Sequence, residues 1–377
     1  MTDNRQTLNS VSKESLDLRA DLIKRLVQDV PEVASDGKID LDKLKDILGD
    51  QVDDNPERYN FTWNGKIDSM KLAQKPTTAT LKPNKEKSRN SDKTKNLYIE
   101  GDNLEVLKIL QKSYSNKVKL IYIDPPYNTG KDFVYKDNFH DSMENYLEQT
   151  GQLDGDNNKL KTNPESSGRY HTDWLNMMYP RLKLARNLLT DDGVIFISID
   201  DTEQANLKKM ADEIFGENNF LAQVIWERAY APINLKKNFS VSHDYILIYG
   251  RDMSLIETNG IPRTSAADDR YQNPDNDPRG VWKADNLSVG PAIEANIYPV
   301  TTPSGRVVEP PAGRSWSLSQ NAFRDRLADN RIWFGKNGDA VPSMKRFKSE
   351  LRKTGVTPMT IWKYEDVGHS QAATQEL

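Results

Sequence analysis

The side chains best suited to chemistry stand in four consecutive residues, Asp124-Pro125-Pro126-Tyr127. Two successive prolines stiffen the backbone, because each fixes its own φ and restricts the residue before it. The loop can therefore hold a carboxylate, a backbone carbonyl and an aromatic ring in fixed relation, as positional catalysis requires. A rigid strand-to-loop turn without chemistry is the alternative. The apolar segment before the loop and the Asn-Thr-Gly after it favour the chemical interpretation.

These groups match a reaction at the exocyclic amino group of a nucleic-acid base. The amino nitrogen of adenine is a poor nucleophile, since its lone pair is delocalised into the ring, and it carries two protons. Asp124 can accept one proton in a hydrogen bond and the carbonyl of Pro125 the other, which directs the lone pair at an electrophilic methyl group. The ring of Tyr127 offers a face for the base, and such stacking contributes roughly 1–3 kcal/mol. That contribution offsets part of the cost of flipping the base out of a duplex.

Composition limits the remaining possibilities. The chain has 377 residues, enough for two or three domains, and a formal net charge of −4, which argues mildly against a purely electrostatic nucleic-acid binder. It has no cysteine, which excludes disulfides and thiolate nucleophiles, and its four histidines show no metal-ligand spacing, so we expect no metal. The N-terminus lacks a signal-peptide pattern, and no apolar run reaches the roughly 20 residues of a membrane span. We therefore expect a cytoplasmic protein without a membrane anchor.

The elements that must position the loop alternate between strands and helices, which predicts an open, largely parallel α/β sheet with ligands at its carboxyl edge. Asp200, Asp201 and Thr202 are expected to cap the helix that Gly216 ends, and Pro180 is expected to kink a helix. The predicted strands are Leu97–Glu100, Val118–Ile123, Val194–Ile199, Leu221–Trp226 and Asp244–Tyr249; the predicted helices follow Gly101-Asp102-Asn103 and cover residues 173–189 and 207–214.

Flanking regions differ in composition. Residues 1–70 read as a helical N-terminal region, and residues 71–95 as a basic linker or a strap that touches phosphates. The catalytic half covers residues 96–250, and an irregular, partly β domain covers residues 251–365. Aromatic and basic residues in this domain are candidates for a DNA-reading surface; they are Trp316, Trp333, Phe334, Lys345, Arg346, Lys348, Arg352 and Lys353. For the cluster at 345–353, an ordinary solvated helix face is the alternative.

Most of residues 55–250 resemble the modification subunit of type III restriction–modification systems. The resemblance is carried by ERYNFTWNGK, NLYIEGDNLEVLKIL, KVKLIYIDPPYNTGKDFVYKDNF, DWLNMMYPRLKLARNLLTDDGVIFISIDD and EIFGENNF. It implies a Rossmann-like methyltransferase sheet, S-adenosylmethionine as cofactor, and catalysis by Asp124, Pro125, Pro126 and Tyr127. An Asp in the first position favours adenine N6 over cytosine N4. It also implies double-stranded DNA as substrate, a self-dimer, and a restriction partner subunit with helicase and nuclease activity.

The resemblance extends to further residues. Gly101 and Asp102 would lie near the cofactor adenosine, although Asp102 could equally be a helix N-cap. Residues just beyond the motif would line the base pocket or the DNA path, or form an ordinary surface loop; they are Lys131, Tyr135 and Phe139. Residues 251–365 correspond to the target-recognition domain.

The sequence departs from this family in one respect: no Phe-x-Gly-x-Gly cofactor loop is found. Residues 366–377 resemble the start of the segment that leads into the cofactor half. We therefore expect an incomplete sheet in which residues 118–123 form an exposed edge, weak cofactor binding and slow methylation by this chain alone. The alternatives are a catalytically inactive DNA-recognition or assembly fragment, and a methyltransferase acting on RNA or protein.

Overall fold

The computed structural model describes residues 14–35, 38–52, 59–130, 170–232, 237–351 and 355–376. The chain divides into two compact units: unit 1 is Met1–Ile256 with Met359–Leu377, and unit 2 is Glu257–Pro358. Unit 2 thus lies inside the predicted domain of residues 251–365, and the residues after it return to unit 1. None of the described helices is long and apolar enough to cross a membrane.

Helices and strands are numbered in chain order. The helices are α1 (Leu18–Asp29), α2 (Leu41–Leu48), α3 (Lys66–Gln74), α4 (Asn103–Tyr114), α5 (Tyr170–Leu188), α6 (Gln204–Phe215), α7 (Ser265–Asp268), α8 (Gln320–Ala328), α9 (Tyr364–Val367) and α10 (Ser370–Glu376). The strands are β1 (Ala34–Ser35), β2 (Lys38–Ile39), β3 (Val118–Ile123), β4 (Leu189–Ile199), β5 (Phe220–Glu227), β6 (His243–Gly250), β7 (Trp282–Asn286), β8 (Ser288–Val289), β9 (Val300–Thr301), β10 (Val307–Val308), β11 (Ser315–Trp316), β12 (Ile332–Trp333), β13 (Ser343–Phe347) and β14 (Ile361–Trp362).

Unit 1 is built on a five-stranded sheet in the order β14-β5-β6-β4-β3. β3 is parallel to β4 and β14 is parallel to β5, whereas β6 is antiparallel to both of its neighbours. Four strands therefore run in one direction, and their carboxyl ends meet at one edge together with the start of β6. This α/β arrangement confirms the predicted fold class, with one antiparallel strand inside the sheet.

Two predictions near the start of the sheet are wrong. Leu97–Glu100 forms no strand: Leu97 and Tyr98 are 71% and 92% exposed, and no described strand lies beside them to supply a hydrogen-bond ladder. The first residues of the predicted linker belong to α3, where Leu72 and Ala73 are buried. At the edge of the sheet, β3 pairs only with β4 among the described strands and leaves Leu120 and Tyr122 exposed, as predicted.

The core of unit 1 lies where α5 and α6 cover the sheet. Ile195, Ile197 and Ile199 alternate along β4 with no solvent exposure, so one face of this strand is fully buried. Trp174 of α5 and Phe215 of α6 pack in the same cluster. Each such side chain contributes roughly 1.5–3 kcal/mol when buried, which makes this layer the rigid base beneath the carboxyl edge.

The described part of unit 2 consists of short strands, the helices α7 and α8, and irregular segments. Its largest sheet is antiparallel in the order β12-β13-β7, and its apolar cluster includes Trp316 and Phe334. Both of these side chains are buried, so the prediction that they belong to a DNA-reading surface is wrong. The segment around Lys345 is a strand, β13, rather than a solvated helix face.

Candidate active site

The predicted loop begins where β3 ends. Ile123 is in register with Ile197 of the parallel strand β4, so Asp124 follows at the carboxyl edge, beside the end of β4. Asp124 is exposed, and Tyr127 is half-buried against the core of unit 1. The apolar strand β3 thus places the Asp124 carboxylate at the protein surface and the Tyr127 ring at the border between the surface and the core.

Tyr127 lies beside the carboxylate of Asp124. Burial first, then the charges of Asp124 and Asp244, raise the pKa of Tyr127 well above its usual value, so this hydroxyl stays protonated at neutral pH. A carboxylate has about four acceptor positions, so Asp124 has capacity for a donor from a substrate.

An ion pair that the sequence prediction missed lies at the same edge. Asp244 is buried at the start of β6 and accepts a hydrogen bond from Arg228 Nε at 2.9 Å. Burial raises the pKa of Asp244 although Arg228 opposes the shift. An antiparallel strand begins at the edge where its neighbours end, and this rule could have placed Asp244 near Tyr127 from the predicted strand directions.

The backbone of the loop is held from α5. Trp174, which is fully buried, donates its indole N–H to the carbonyl of Pro126 at 2.7 Å. The hydroxyl of Tyr170 donates to the carbonyl of Asn128, whose side-chain amide donates back to the Tyr170 carbonyl at 3.2 Å. Within the described part of the chain no donor is assigned to the carbonyl of Pro125. That carbonyl and the Asp124 carboxylate are therefore two acceptors on consecutive residues of the loop.

The residues predicted to cap α6 make other contacts instead. Asp200 accepts the backbone N–H of Thr202 at 2.8 Å, which closes a turn before the helix, and Asp201 accepts the hydroxyl of Tyr245 at 2.8 Å. The N-cap position belongs to Glu203, whose side chain does not cap the helix. Its carboxylate points instead towards the loop, where it accepts from Asn128. The prediction that Asp200 and Asp201 cap α6 is therefore wrong.

The predicted cofactor residues begin α4. Asp102 is its N-cap and accepts the backbone N–H of Glu105 at 2.9 Å, while its other oxygen lies 3.9 Å from Arg181 Nη2. The capping interpretation of Asp102 is therefore what the structure shows. Gly101 has φ 153°, and a Cβ there would meet only a Val106 methyl group, at 3.9 Å, so its backbone is open to close approach. Lys131, Tyr135 and Phe139 lie outside the described residues.

The basic residues predicted to contact DNA divide between the two faces of β13. Lys345 is fully buried, and its ammonium bonds to Asp275 and, at 3.3 Å, to Asp277. It is therefore out of reach of a phosphate, and its prediction as a DNA contact is wrong. Arg346 points the opposite way, with 61% of its side chain exposed, and Lys348 beyond the strand is 40% exposed. Arg352 and Lys353 lie outside the described residues.

Comparison with known proteins supports the resemblance found in the sequence. The model of a family described as DNA methylase matches residues 118–376. The chain is 36% identical over 318 residues to the type III restriction-modification enzyme StyLTI Mod subunit of Salmonella typhimurium, covering 82% of this chain and 48% of that protein. It is 42% identical over 219 residues to the EcoP15I Mod subunit of Escherichia coli, covering 56% of this chain and 33% of that protein. The chain thus spans about half the length of the first relative and about a third of the length of the second.

A type II enzyme is also similar. Type II methyltransferase M.KpnI of Klebsiella pneumoniae is 29% identical over 321 residues, which cover 76% of this chain and 69% of that protein.

Proposed function

This chain belongs to the DNA methylase family, and we propose that it carries the base-binding and catalytic part of an enzyme that methylates the N6 amino group of adenine in duplex DNA. One observation carries the proposal: the Asp124 carboxylate, with Tyr127 beside it, lies one residue from the carbonyl of Pro125 at the carboxyl edge of the sheet. Two fixed acceptors beside an aromatic ring match the two protons and the flat face of a flipped adenine.

In this mechanism the loop acts by positioning. Asp124 accepts one amino proton in a hydrogen bond and the Pro125 carbonyl the other, so the lone pair of N6 is drawn out of conjugation with the ring and directed at the methyl group. The ring of Tyr127 supports the base. Fixed dipoles of this kind cost no reorganisation at the moment of reaction, because Trp174 and Tyr170 already hold the loop. Asp124 is the nearest acceptor for the proton that nitrogen loses once the new bond has formed.

The methyl donor in this proposal is S-adenosylmethionine, which supplies an electrophilic methyl group when bound. Gly101 and Asp102 fit its adenosine end: the glycine leaves its backbone open, and the Asp102 carboxylate lies at the start of α4. Asp102 would then both cap the helix and contact the cofactor.

The proposal extends to partners. Similarity to two Mod subunits supports a role as the modification subunit of a type III restriction–modification system. We propose a cytoplasmic location, duplex DNA as substrate, and a second modification subunit and a restriction subunit as partners. Unit 2 would act in target recognition, with Arg346 and Lys348 as candidate phosphate contacts. Lys131, Tyr135 and Phe139 remain predictions for the base pocket.

Labelled-methyl transfer tests the reaction. The complete protein that carries this sequence is incubated with labelled S-adenosylmethionine and unmethylated duplex DNA, RNA or protein, and the product nucleosides are identified. We expect N6-methyladenine in DNA, and a loss of at least about 100-fold in rate for Asp124→Ala. Asp192→Ala is the control, because this acid is 51% exposed and makes a surface ion pair with Lys119.

Other outcomes would contradict the proposal. A near wild-type rate for Asp124→Ala would remove this residue from its role, and N4-methylcytosine would contradict the adenine assignment. DNA binding without any transfer would favour a catalytically inactive recognition fragment.

A further inference from the structure

We infer that Glu203 is a positioning residue for methyl transfer: it fixes Asn128, and through Asn128 it sets the place of Tyr127 and Asp124. The inference rests on the proposed function and adds a residue outside the motif. Asn128 is directly bonded to Tyr127 in the chain, whereas Glu203 precedes α6, 75 positions away. Contact between them ties the catalytic loop to the helix that follows β4.

Glu203 is a buried carboxylate with donors converging on both oxygens. Its Oε1 accepts from Asn128 Nδ2 at 2.5 Å and from His171 Nδ1 at 2.7 Å, and its Oε2 accepts from Asn206 Nδ2 at 2.8 Å. The residue has no solvent exposure. A charge is kept in such a place only when it is paired or hydrogen-bonded, so these donors are required for the residue to be tolerated there.

Capping of α6 does not explain this carboxylate. Glu203 occupies the N-cap position, yet its side chain accepts no backbone N–H from the first turn of the helix. A short polar residue such as Ser or Asp is the usual choice at that position. The longer side chain of Glu203 instead extends from the start of the helix to the loop, where it binds Asn128. Holding Asn128 is therefore the role that we assign to Glu203.

Asn128 transmits this contact to the loop backbone. It is fully buried and has φ 62°, a left-handed conformation that Asn adopts more readily than most residues. Its side chain is shared between Glu203 and the carbonyl of Tyr170, so its rotation is blocked. Because the peptide bond between Tyr127 and Asn128 is planar, fixing Asn128 also restricts the orientation of the Tyr127 backbone. The loop is held at one end by the pairing of β3 and at the other by Glu203.

The test compares variants of Glu203 in single-turnover methyl transfer by the complete protein, with enzyme in excess over unmethylated duplex DNA. Glu203→Ala removes the closer of the two acceptors of Asn128 Nδ2 and leaves the Tyr170 carbonyl, and we expect its rate constant to fall about 10- to 100-fold. Glu203→Gln retains an amide oxygen for Asn128 and should stay within about threefold of wild type. Asn206→Ala removes the contact to the far oxygen of Glu203 and a longer one to His171 Nδ1 at 3.4 Å, but leaves Asn128 bonded to Glu203, and it serves as the matched control.

The rate constant at saturating enzyme separates a positioning role from a structural one. Misfolding lowers only the concentration of active enzyme, so the rate constant still reaches the wild-type plateau at higher enzyme concentration, whereas a displaced loop lowers that plateau. We also expect the KM values for DNA and cofactor to change by less than about threefold. If Glu203→Ala does not fold, Asn128→Gly tests the inference in its place, since glycine permits the left-handed φ but lacks the side-chain amide.

A folded Glu203→Ala or Asn128→Gly enzyme with an unchanged rate constant would overturn the inference, as would Glu203→Gln as slow as Glu203→Ala. Failure of the proposed function is recognised separately, because the wild-type protein would then produce no N6-methyladenine.

Discussion

Replacing Lys345 by Met tests whether this lysine is a structural cation of unit 2 or a DNA contact. Its ammonium is bonded to Asp275 and Asp277 and lies 5.2 Å from the ring centre of Trp282 and 5.9 Å from that of Trp333. Methionine has a similar length but no charge. Its introduction leaves two carboxylates without the cation that lies between them.

The size of the effect follows from what each carboxylate retains. Removing one partner of a buried ion pair costs roughly 3–5 kcal/mol. Asp277 keeps Arg279 Nη2 at 2.8 Å, and Asp275 keeps the indole N–H of Trp282 at 2.9 Å. We therefore expect the lower end, a loss of about 3 kcal/mol in the free energy of unfolding of unit 2. For a unit of this size the melting temperature falls by about 12–24 °C.

Native-state hydrogen exchange measures this loss, because the amides of β7 and β13 report on unit 2 separately from unit 1. Arg346→Met is the matched control: the neighbouring side chain is 61% exposed, and its surface pair with Asp285 contributes less than about 1 kcal/mol. Asp275→Asn added to Lys345→Met should restore part of the loss, since an unpaired charge is removed.

The opposite pattern would refute this reasoning. If Lys345→Met weakened DNA binding in a salt-dependent way while unit 2 lost less than about 1 kcal/mol, the lysine would be a phosphate contact after all. Arg346→Met in the same binding assay supplies the reference for an exposed cation.

Two further predictions concern acid stability and the aromatic ring of the loop. Hydrogen bonds from Arg279 hold the pKa of Asp277 below its usual range, so its stabilisation is present above the unfolded pKa of about 4 and is lost as the pH falls below it. Melting curves against pH should show this loss in the wild type and a flatter dependence in Asp277→Asn; identical curves would contradict it. In the loop, Tyr127→Phe keeps the ring but loses the hydroxyl beside Asp124, and we expect a methyl-transfer rate lower by about tenfold. Tyr127→Ala loses the stacking face as well and should be slower by a further factor of about 10; equal rates for the two variants would argue against stacking.

The elements around the loop could be predicted from the sequence because each has a buried face. Leu207, Met210 and Ile214 recur at helical spacing and are buried in α6, and Gly216 ends that helix as predicted. Val118–Ile123 is a strand because its apolar run is too short for a helix and ends at a rigid Pro-Pro turn. Leu97–Glu100 has the same composition as a strand but has no described neighbour, and composition cannot supply one.

Contacts between distant segments could not be predicted from the sequence. Glu203 looks like one acid among several before a helix, and only the packing of α6 beside the loop brings it to Asn128. Lys345 looks like its neighbour Arg346 in a basic run. Adjacent residues of a strand face opposite sides, and the pairing of β13 with β7 decides which of the two is buried.

The catalytic loop shows why a motif reveals only part of a site. Chemistry at an amino group demands an acid, a carbonyl and a ring, so these residue types recur together and can be recognised in Asp124 and Tyr127. The groups that hold them need only donate or accept a hydrogen bond from the right place, and many residue types at many positions can do so. Trp174 and Glu203 meet that need here through contacts that cross 48 and 75 positions of the chain. Precision in the loop therefore depends on buried residues of α5 and α6, and their loss should slow the reaction while leaving every residue of the motif in place.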